Sequence, residues 1–298
     1  MCGIVGLFLK DPRLEPELGA MLTDMLITMS DRGPDSAGIA IYRRPAAGRA
    51  KLTVQSANPD ADFDGLAGAL GDALGVAVKG EVKATHLVLD VPAGALDAAR
   101  ATALRLRPGL KVMSAGDAIE IYKEVGLPRD VAARFGVAQM AGTHGIGHTR
   151  MATESAVTLL GAHPFSTGAD QCLVHNGSLS NHNAVRRELK RAGMTFETEN
   201  DTEVAAAFVS HRLQGGQSLE QAMEATLTDL DGFFTFVVGT RNGFGVVRDP
   251  IACKPAVMAE TDAYVAFGSE YRALVNLPGI DAARVWEPEP ATVYFWER

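Results

Sequence analysis

Apolar and polar positions divide this chain into segments of different period. Residues 2–9 (CGIVGLFL) are almost continuously apolar and predict a buried strand. Between residues 14 and 30 the rhythm changes. Leu14, Leu18, Met21, Leu22, Met25, Leu26 and Met29 recur at three- and four-residue steps, which puts them on one face of a helix. Arg32-Gly33-Pro34-Asp35-Ser36 breaks that helix, and Ala37–Tyr42 predicts a second strand. From 44 to 75 Ala, Gly, Pro and Asp dominate and no clear period emerges. Strand-like runs follow around Lys79-Gly80-Glu81 within 76–91, then a helix over 95–106. Two further strand-like runs flank Gly116-Asp117 within 110–122, and a helix over 128–136 opens on Pro128, a good first-turn residue. Residues of roughly 45–140 therefore predict a small α/β unit of their own, set inside a domain that spans 1–298.

From Thr143 the strand pattern returns, at Gly145–Thr149 and Gln171–Asn176. Helices are expected near 180–192, 201–213 and 217–229. Strands are expected at Phe233–Gly239, Gly243–Val247, Ala256–Met258, Tyr264–Phe267 and Val293–Trp296, with Asn242-Gly243 as a hairpin signal. Strands, then helices, then strands predict an α+β protein with antiparallel sheets and helices packed outside them.

Composition narrows the function classes. The 298 residues are nearly half apolar and about a fifth charged, as in ordinary globular proteins. A net charge of −8 argues against a general nucleic-acid surface. No apolar run is long enough to predict a membrane span, and no basic segment leads into an apolar one as in a secretory signal. Cys2, Cys172 and Cys253 are odd in number and widely spaced, so they predict neither a disulfide framework nor zinc. A reducing cytoplasm fits this usage. Cys172 and Cys253 are expected to be buried or half-buried small residues.

The chemistry begins at Met1-Cys2. Cys2 alone reads as a small apolar residue starting a strand. Removal of Met1 would change that, because one residue would then carry a thiol and a free α-amine. An α-amine titrates near pH ~8, so the nucleophile would have its own general base. Other segments are bland singly: RGPDS (32–36) is a turn, GHTRMAT (147–153) a strand ending in polar residues, and Asn176-Gly177 a turn dipeptide.

Together and in this order these segments resemble the class II (N-terminal nucleophile) glutamine amidotransferases. The resemblance covers residues 2–42 and about 140–270 through MCGIVG, RGPDS, GHTRMAT, AHPF (162–165), HNG (175–177), NDTE (200–203), DG (231–232), RDP (248–250), KP (254–255) and SE (269–270). It implies a four-layer αββα sandwich of the N-terminal nucleophile hydrolase type, carrying the small α/β unit as an insertion. It also implies roles. Cys2 attacks the side-chain amide of glutamine, and its α-amine moves the proton. The Asn176 amide and the Gly177 backbone N–H form the oxyanion hole. Arg32 lies close to the nucleophile. Arg150 clamps the substrate carboxylate, Thr153 adds a hydrogen bond, and Asp201 anchors the α-ammonium. Asp201 also suits the first turn of a helix, where acidic residues are favoured. His148, His163 and His175 fit no usual metal spacing, so no metal is expected and they are assigned to structural hydrogen bonds.

Three departures from the family pattern refine the expectation. The gap between RGPDS and GHTR is long. Glu154 and Ser155 stand where many members show other residues. The chain ends at Arg298 without a second catalytic domain, so any acceptor of ammonia is expected on another polypeptide. The long insertion and free-standing form resemble the amidotransferase-like subunit of glutamate-synthase-like complexes such as N-methylglutamate synthase. That resemblance implies a hetero-oligomer with glutamate-synthase-like partner subunits, FMN in one of them and no cofactor in this chain. It leaves three functions open. The first is a glutaminase that feeds ammonia to a partner. The second is a subunit acting on glutamate and methylamine, with little free glutaminase activity. The third is a catalytically idle structural or regulatory subunit.

Overall fold

The computed structural model describes residues 2–152 and 157–298. In the first part of the chain the elements are β1 (Gly3–Leu9), α1 (Leu18–Ile27), β2 (Ser36–Tyr42), β3 (Arg49–Gln55), α2 (Pro59–Phe63) and α3 (Leu66–Leu74). Next come β4 (Lys79–Lys83), β5 (His86–Pro92), α4 (Leu96–Leu106), β6 (Lys111–Gly116), β7 (Ile119–Val125), α5 (Pro128–Phe135) and β8 (His144–Arg150). The remainder holds β9 (Phe165–Gly168), β10 (Gln171–Leu179), α6 (His182–Arg191), α7 (Asp201–Gln214), α8 (Leu219–Asp229) and β11 (Gly232–Gly239). It closes with β12 (Gly243–Arg248), β13 (Val257–Glu260), β14 (Tyr264–Gly268), β15 (Arg284–Trp286) and β16 (Thr292–Glu297).

These strands form three sheets. One has seven strands in the order β15-β13-β14-β1-β8-β2-β7, one has five in the order β16-β12-β11-β10-β9, and one has four in the order β4-β5-β3-β6. Strand parity explains how the first two stack. In β1, Val5, Leu7 and Leu9 join Leu22, Leu26, Val131 and Phe135 in a core under α1 and α5. Ile4 and Phe8, on the opposite face of β1, join Val174, Val237, Phe244 and Val246 of the five-stranded sheet in a second core. The far face of that sheet, with Leu173, Phe234, Phe236 and Val238, packs on α6, α7 and α8. The order of layers is therefore helix, sheet, sheet, helix. The continuous apolar run of residues 2–9 is the mark of a strand buried on both faces.

The four-stranded sheet is the inserted unit. Leu52, Val54, Leu87, Leu89 and Val91 face α3 and α4 in a core of their own with Leu66, Leu70, Ala99 and Ala103. The opposite face leans on the sandwich. There His86 meets Phe135 edge-on at 4.7 Å between ring centroids. Glu120 of β7 pairs with Lys51 and with Arg43, the latter at 2.9 Å, and accepts 2.8 Å from the Tyr122 hydroxyl.

The expected extent of 45–140 is too long. The separate sheet runs only from Arg49 to Gly116, while β7 pairs with β2 throughout its length and α5 packs in the sandwich core. Three smaller differences stand out. The stretch without a clear period hides β3, α2 and α3. Lys79-Gly80-Glu81 lies inside β4, and the chain turns instead at Ala84, whose φ is +51°. Cys253 is exposed, whereas Cys172 is buried, accepts 3.3 Å from the Tyr42 hydroxyl and has its thiol pushed up to about 12 by burial.

Candidate active site

The two stacked sheets bring Cys2 to the end of β1. The register sets Gly3 opposite Thr149, so Cys2 continues alongside the terminal residue of β8, Arg150. Its Sγ lies 4.0 Å from the Met151 carbonyl oxygen. Several bonds fix this strand end. The Ile4 N–H donates to Ser269 Oγ at 2.9 Å, the Ser269 N–H donates back to the Ile4 carbonyl, and the Thr149 hydroxyl donates to the Met29 carbonyl at 3.1 Å. The Ala152 N–H donates to Asp35 at 2.8 Å. The RGPDS turn passes directly over the end of β8. A Cβ at Gly33 would stand 2.4 Å from the Thr149 carbonyl carbon, so the turn requires glycine there.

Two side chains from different layers converge on the Cys2 carbonyl. Arg32 Nε donates to it at 3.0 Å, and Asn176 Nδ2 donates to it at 3.3 Å. Arg32 is buried and is held from its other end by Glu270 at 2.7 Å, which Arg272 also pairs at 2.7 Å. Hydrogen bonding to Arg32, aided by the charges of both arginines, holds the Glu270 carboxyl below its usual range.

Asn176 and Gly177 occupy β10, where β11 pairs with them at Thr235 and Phe234. Gly177 has φ of +151°, and a Cβ there would sit 2.0 Å from the Phe233 carbonyl oxygen and 2.8 Å from His175 Nε2. Only glycine fits that approach. Three histidines cluster at β10: His175 within it, and His148 and His163 beside it. His148 and His163 stack with centroids 4.0 Å apart, His148 Nε2 meets the His175 carbonyl at 3.2 Å, and the His175 N–H donates to His163 Nδ1 at 3.3 Å. Burial holds His148 down at about 3 and His163 well below the ordinary histidine range, so both rings are neutral at neutral pH.

Asp201 opens α7 next to the N-cap Asn200, whose Oδ1 accepts from the Thr202 N–H at 2.8 Å. Its Oδ2 accepts the Leu179 N–H at 2.9 Å, tying the helix start to the end of β10. Burial raises its pKa, but hydrogen bonding at His175 and from the Leu179 N–H outweighs this and brings it to about 2. The helix-start and strand-anchoring roles of Asp201 thus coexist. Glu203 bonds the backbone N–H groups of Glu197 and Thr198, so each of the four NDTE residues has a defined place.

The predicted residues fall into three groups. Cys2, Arg32 and Asn176 meet at one carbonyl, with Gly177 next in the chain. Asp201 reaches the same strand through Leu179 and His175. Arg150 is buried at the end of β8, with its guanidinium packed against Gly161. Thr153 lies outside the described residues, as do Glu154 and Ser155. Glu270, Ser269 and Thr202 belong to the supporting structure, yet the sequence marked them only as parts of motifs. A cavity of about 340 Å³ lies elsewhere, between the inserted unit and the start of α7. Lys123 lines it and donates to the Ala162 carbonyl at 2.9 Å and the Pro164 carbonyl at 3.3 Å, and burial depresses its ammonium to about 8.

The chain, with Cys2 at the head of its first strand and two donors converging on the Cys2 carbonyl, belongs to the class II glutamine amidotransferases, and comparison with known proteins establishes the membership. The glutamine amidotransferase domain family matches residues 148–276. The chain is 68% identical over 297 residues to the glutamine amidotransferase-like protein GlxB of Rhizobium meliloti, covering 100% of this chain and 98% of that one. It is 34% identical to a putative glutamine amidotransferase of Methanothermobacter thermautotrophicus, with both chains covered in full. Among solved structures, glutamine phosphoribosylpyrophosphate amidotransferase from B. subtilis shares the fold, with a TM-score of 0.62 at 19% identity over 99% of this chain and 47% of that one.

Proposed function

We propose that this chain is the glutaminase subunit of a multi-subunit amidotransferase, hydrolysing the side-chain amide of glutamine through a Cys2 thioester and passing ammonia to a partner. The observation that carries this reading is the convergence of Arg32 Nε and Asn176 Nδ2 on the residue that bears the thiol. With Met1 removed, the α-amine of Cys2 takes the thiol proton as sulfur adds to the amide carbon. Asn176 and the Gly177 N–H receive the developing oxyanion. The same amine then protonates the leaving nitrogen. The C–N bond breaks, ammonia departs, and water hydrolyses the thioester to glutamate. Arg150 and Asp201 supply charges opposite to those of the substrate α-carboxylate and α-ammonium, and Thr153 adds a hydrogen bond. Arg32, held by Glu270, positions Cys2.

The separate four-stranded unit supports a narrower reading, in which the partners are glutamate-synthase-like subunits of an N-methylglutamate-synthase-like complex. FMN then belongs to a partner, and the subunit handles glutamate with little free glutaminase activity. One experiment separates these readings from an idle scaffold. Glutamate and ammonia release from glutamine is measured on wild type and on Cys2→Ala, each alone and with co-expressed partners. The proposal expects release that Cys2→Ala abolishes. Release from neither protein, alone or with partners, contradicts the glutaminase reading. Full activity of the assembled complex with Cys2→Ala establishes the idle one.

A further inference from the structure

Thr202 is buried at a junction of three groups. Its Oγ1 lies 3.1 Å from His175 Nδ1, 3.3 Å from His163 Nε2 and 3.4 Å from Asp201 Oδ1. A hydroxyl has one proton and two lone pairs, so three neighbours can be satisfied in only a few ways. His163 settles the first. Its Nδ1 accepts the His175 backbone N–H, so the single proton of this neutral ring is on Nε2 and is donated to Thr202. His175 settles the second. Its Nε2 is buried, faces Gly177 and has no partner among the described residues. A buried orphan N–H is rarer than an orphan acceptor, so Nε2 is bare and Nδ1 carries the proton. Thr202 then accepts from both rings, and its own proton goes to the Asp201 carboxylate. His148 completes the pattern by donating Nε2–H to the His175 carbonyl.

We propose that Thr202 is a positioning residue that joins the Asp201 carboxylate to the strand bearing Asn176 and Gly177, with every proton in the junction ordered toward Asp201. The functional half of this inference rests on the glutaminase reading; the tautomer half does not. A cation taken up by Asp201 competes for the lone pair that holds the Thr202 proton. Occupancy of the ammonium site is thereby felt at His175, which immediately precedes the oxyanion pair. Removing the hydroxyl leaves the ring N–H groups of His163 and His175 without an acceptor in a buried site.

The test uses the full chain. Ring ¹⁵N spectra of wild type should show Nε2–H on His148 and His163 and Nδ1–H on His175. In Thr202→Val, the His175 signal should move away from that state while Thr202→Ser keeps it. In the assembly that turns over glutamine, Thr202→Val should lower kcat by about tenfold or more, roughly one hydrogen bond's worth, with a smaller change in KM, and Thr202→Ser should recover most of it. An Nε2–H tautomer of His175 in wild type overturns the inference, whatever the folding of the variants. So does a Ser variant as impaired as the Val variant. Absence of turnover in wild type, with the tautomers as assigned, removes the glutaminase reading but leaves the junction standing.

Discussion

The sandwich and the inserted unit use the same materials in opposite ways. In the sandwich, β1, β2, β10 and β11 are buried on both faces, and alternate side chains of one strand feed different cores. Polar side chains are then pushed to strand ends and turns, where Cys2, Arg150 and Arg32 stand. In the inserted unit, one face of the sheet packs on helices and the other leans on β7 and α5. Its outer strand β4 is an exposed edge carrying Lys79 and Lys83, the usual guard against edge pairing. A strand buried on both faces concentrates chemistry at its ends, whereas a half-buried sheet spreads polar residues over a surface.

The sharpest way to break this contrast is Gly177→Ala. Its Cβ would meet the Phe233 carbonyl at 2.0 Å, so the strand bearing Asn176, the proposed oxyanion donor, must shift. Glutamine turnover should fall by about a hundredfold or more, as for loss of an oxyanion donor, and wild-type kcat/KM would refute the placement. Leu52→Ala, in the core of the inserted unit, should cost about 3 kcal/mol in denaturant unfolding. Its kcat/KM per folded molecule should stay close to wild type, and a loss there would show that the two regions are coupled.

Acid stability sharpens the seam between the two regions. Burial holds His86 and His144 down at about 3, and His148 likewise. The unfolded chain therefore binds more protons between about pH 6.5 and pH 3, so stability is full above about 6.5 and declines as pH falls through that window. Carboxylates with depressed values, such as Asp201, add a second loss only below about pH 4. His86→Phe should flatten the first decline by up to roughly 3 kcal/mol in unfolding free energies from urea titrations between pH 7 and 4. An unchanged slope would contradict the assignment of a neutral His86 at the seam. The smallest effect is expected at Val82, 58% exposed on β4. Val82→Ser should change stability by no more than about 0.5 kcal/mol.

Local pattern was enough for β1, α1, β2, β10 and the three helices under the second sheet, because each has a period or an apolar run of its own. The boundary of the inserted unit was not legible. β7 follows β6 after two residues and has the same strand-like composition; only pairing with the distant β2 assigns it to the sandwich. β3 alternates Ala50, Leu52 and Val54 with Lys51, Thr53 and Gln55, but its glycine- and alanine-rich surroundings masked the rhythm. At the candidate site, the motifs named Cys2, Arg32, Asn176, Gly177 and Asp201 but not the bonds around them. The bonds of Glu270 to Arg32, Ser269 to Ile4 and Thr202 to two histidines span from 27 to 265 residues, beyond the reach of any local rule.

The central claim is that one residue, Cys2, serves as both nucleophile and base. Its most direct test is the intact mass of the active chain, before and after acid quenching during turnover of glutamine. The account predicts a chain lacking Met1, and a transient mass increase of one glutamyl group that maps to Cys2. An active enzyme that retains Met1, or a glutamyl adduct that maps elsewhere, would contradict it.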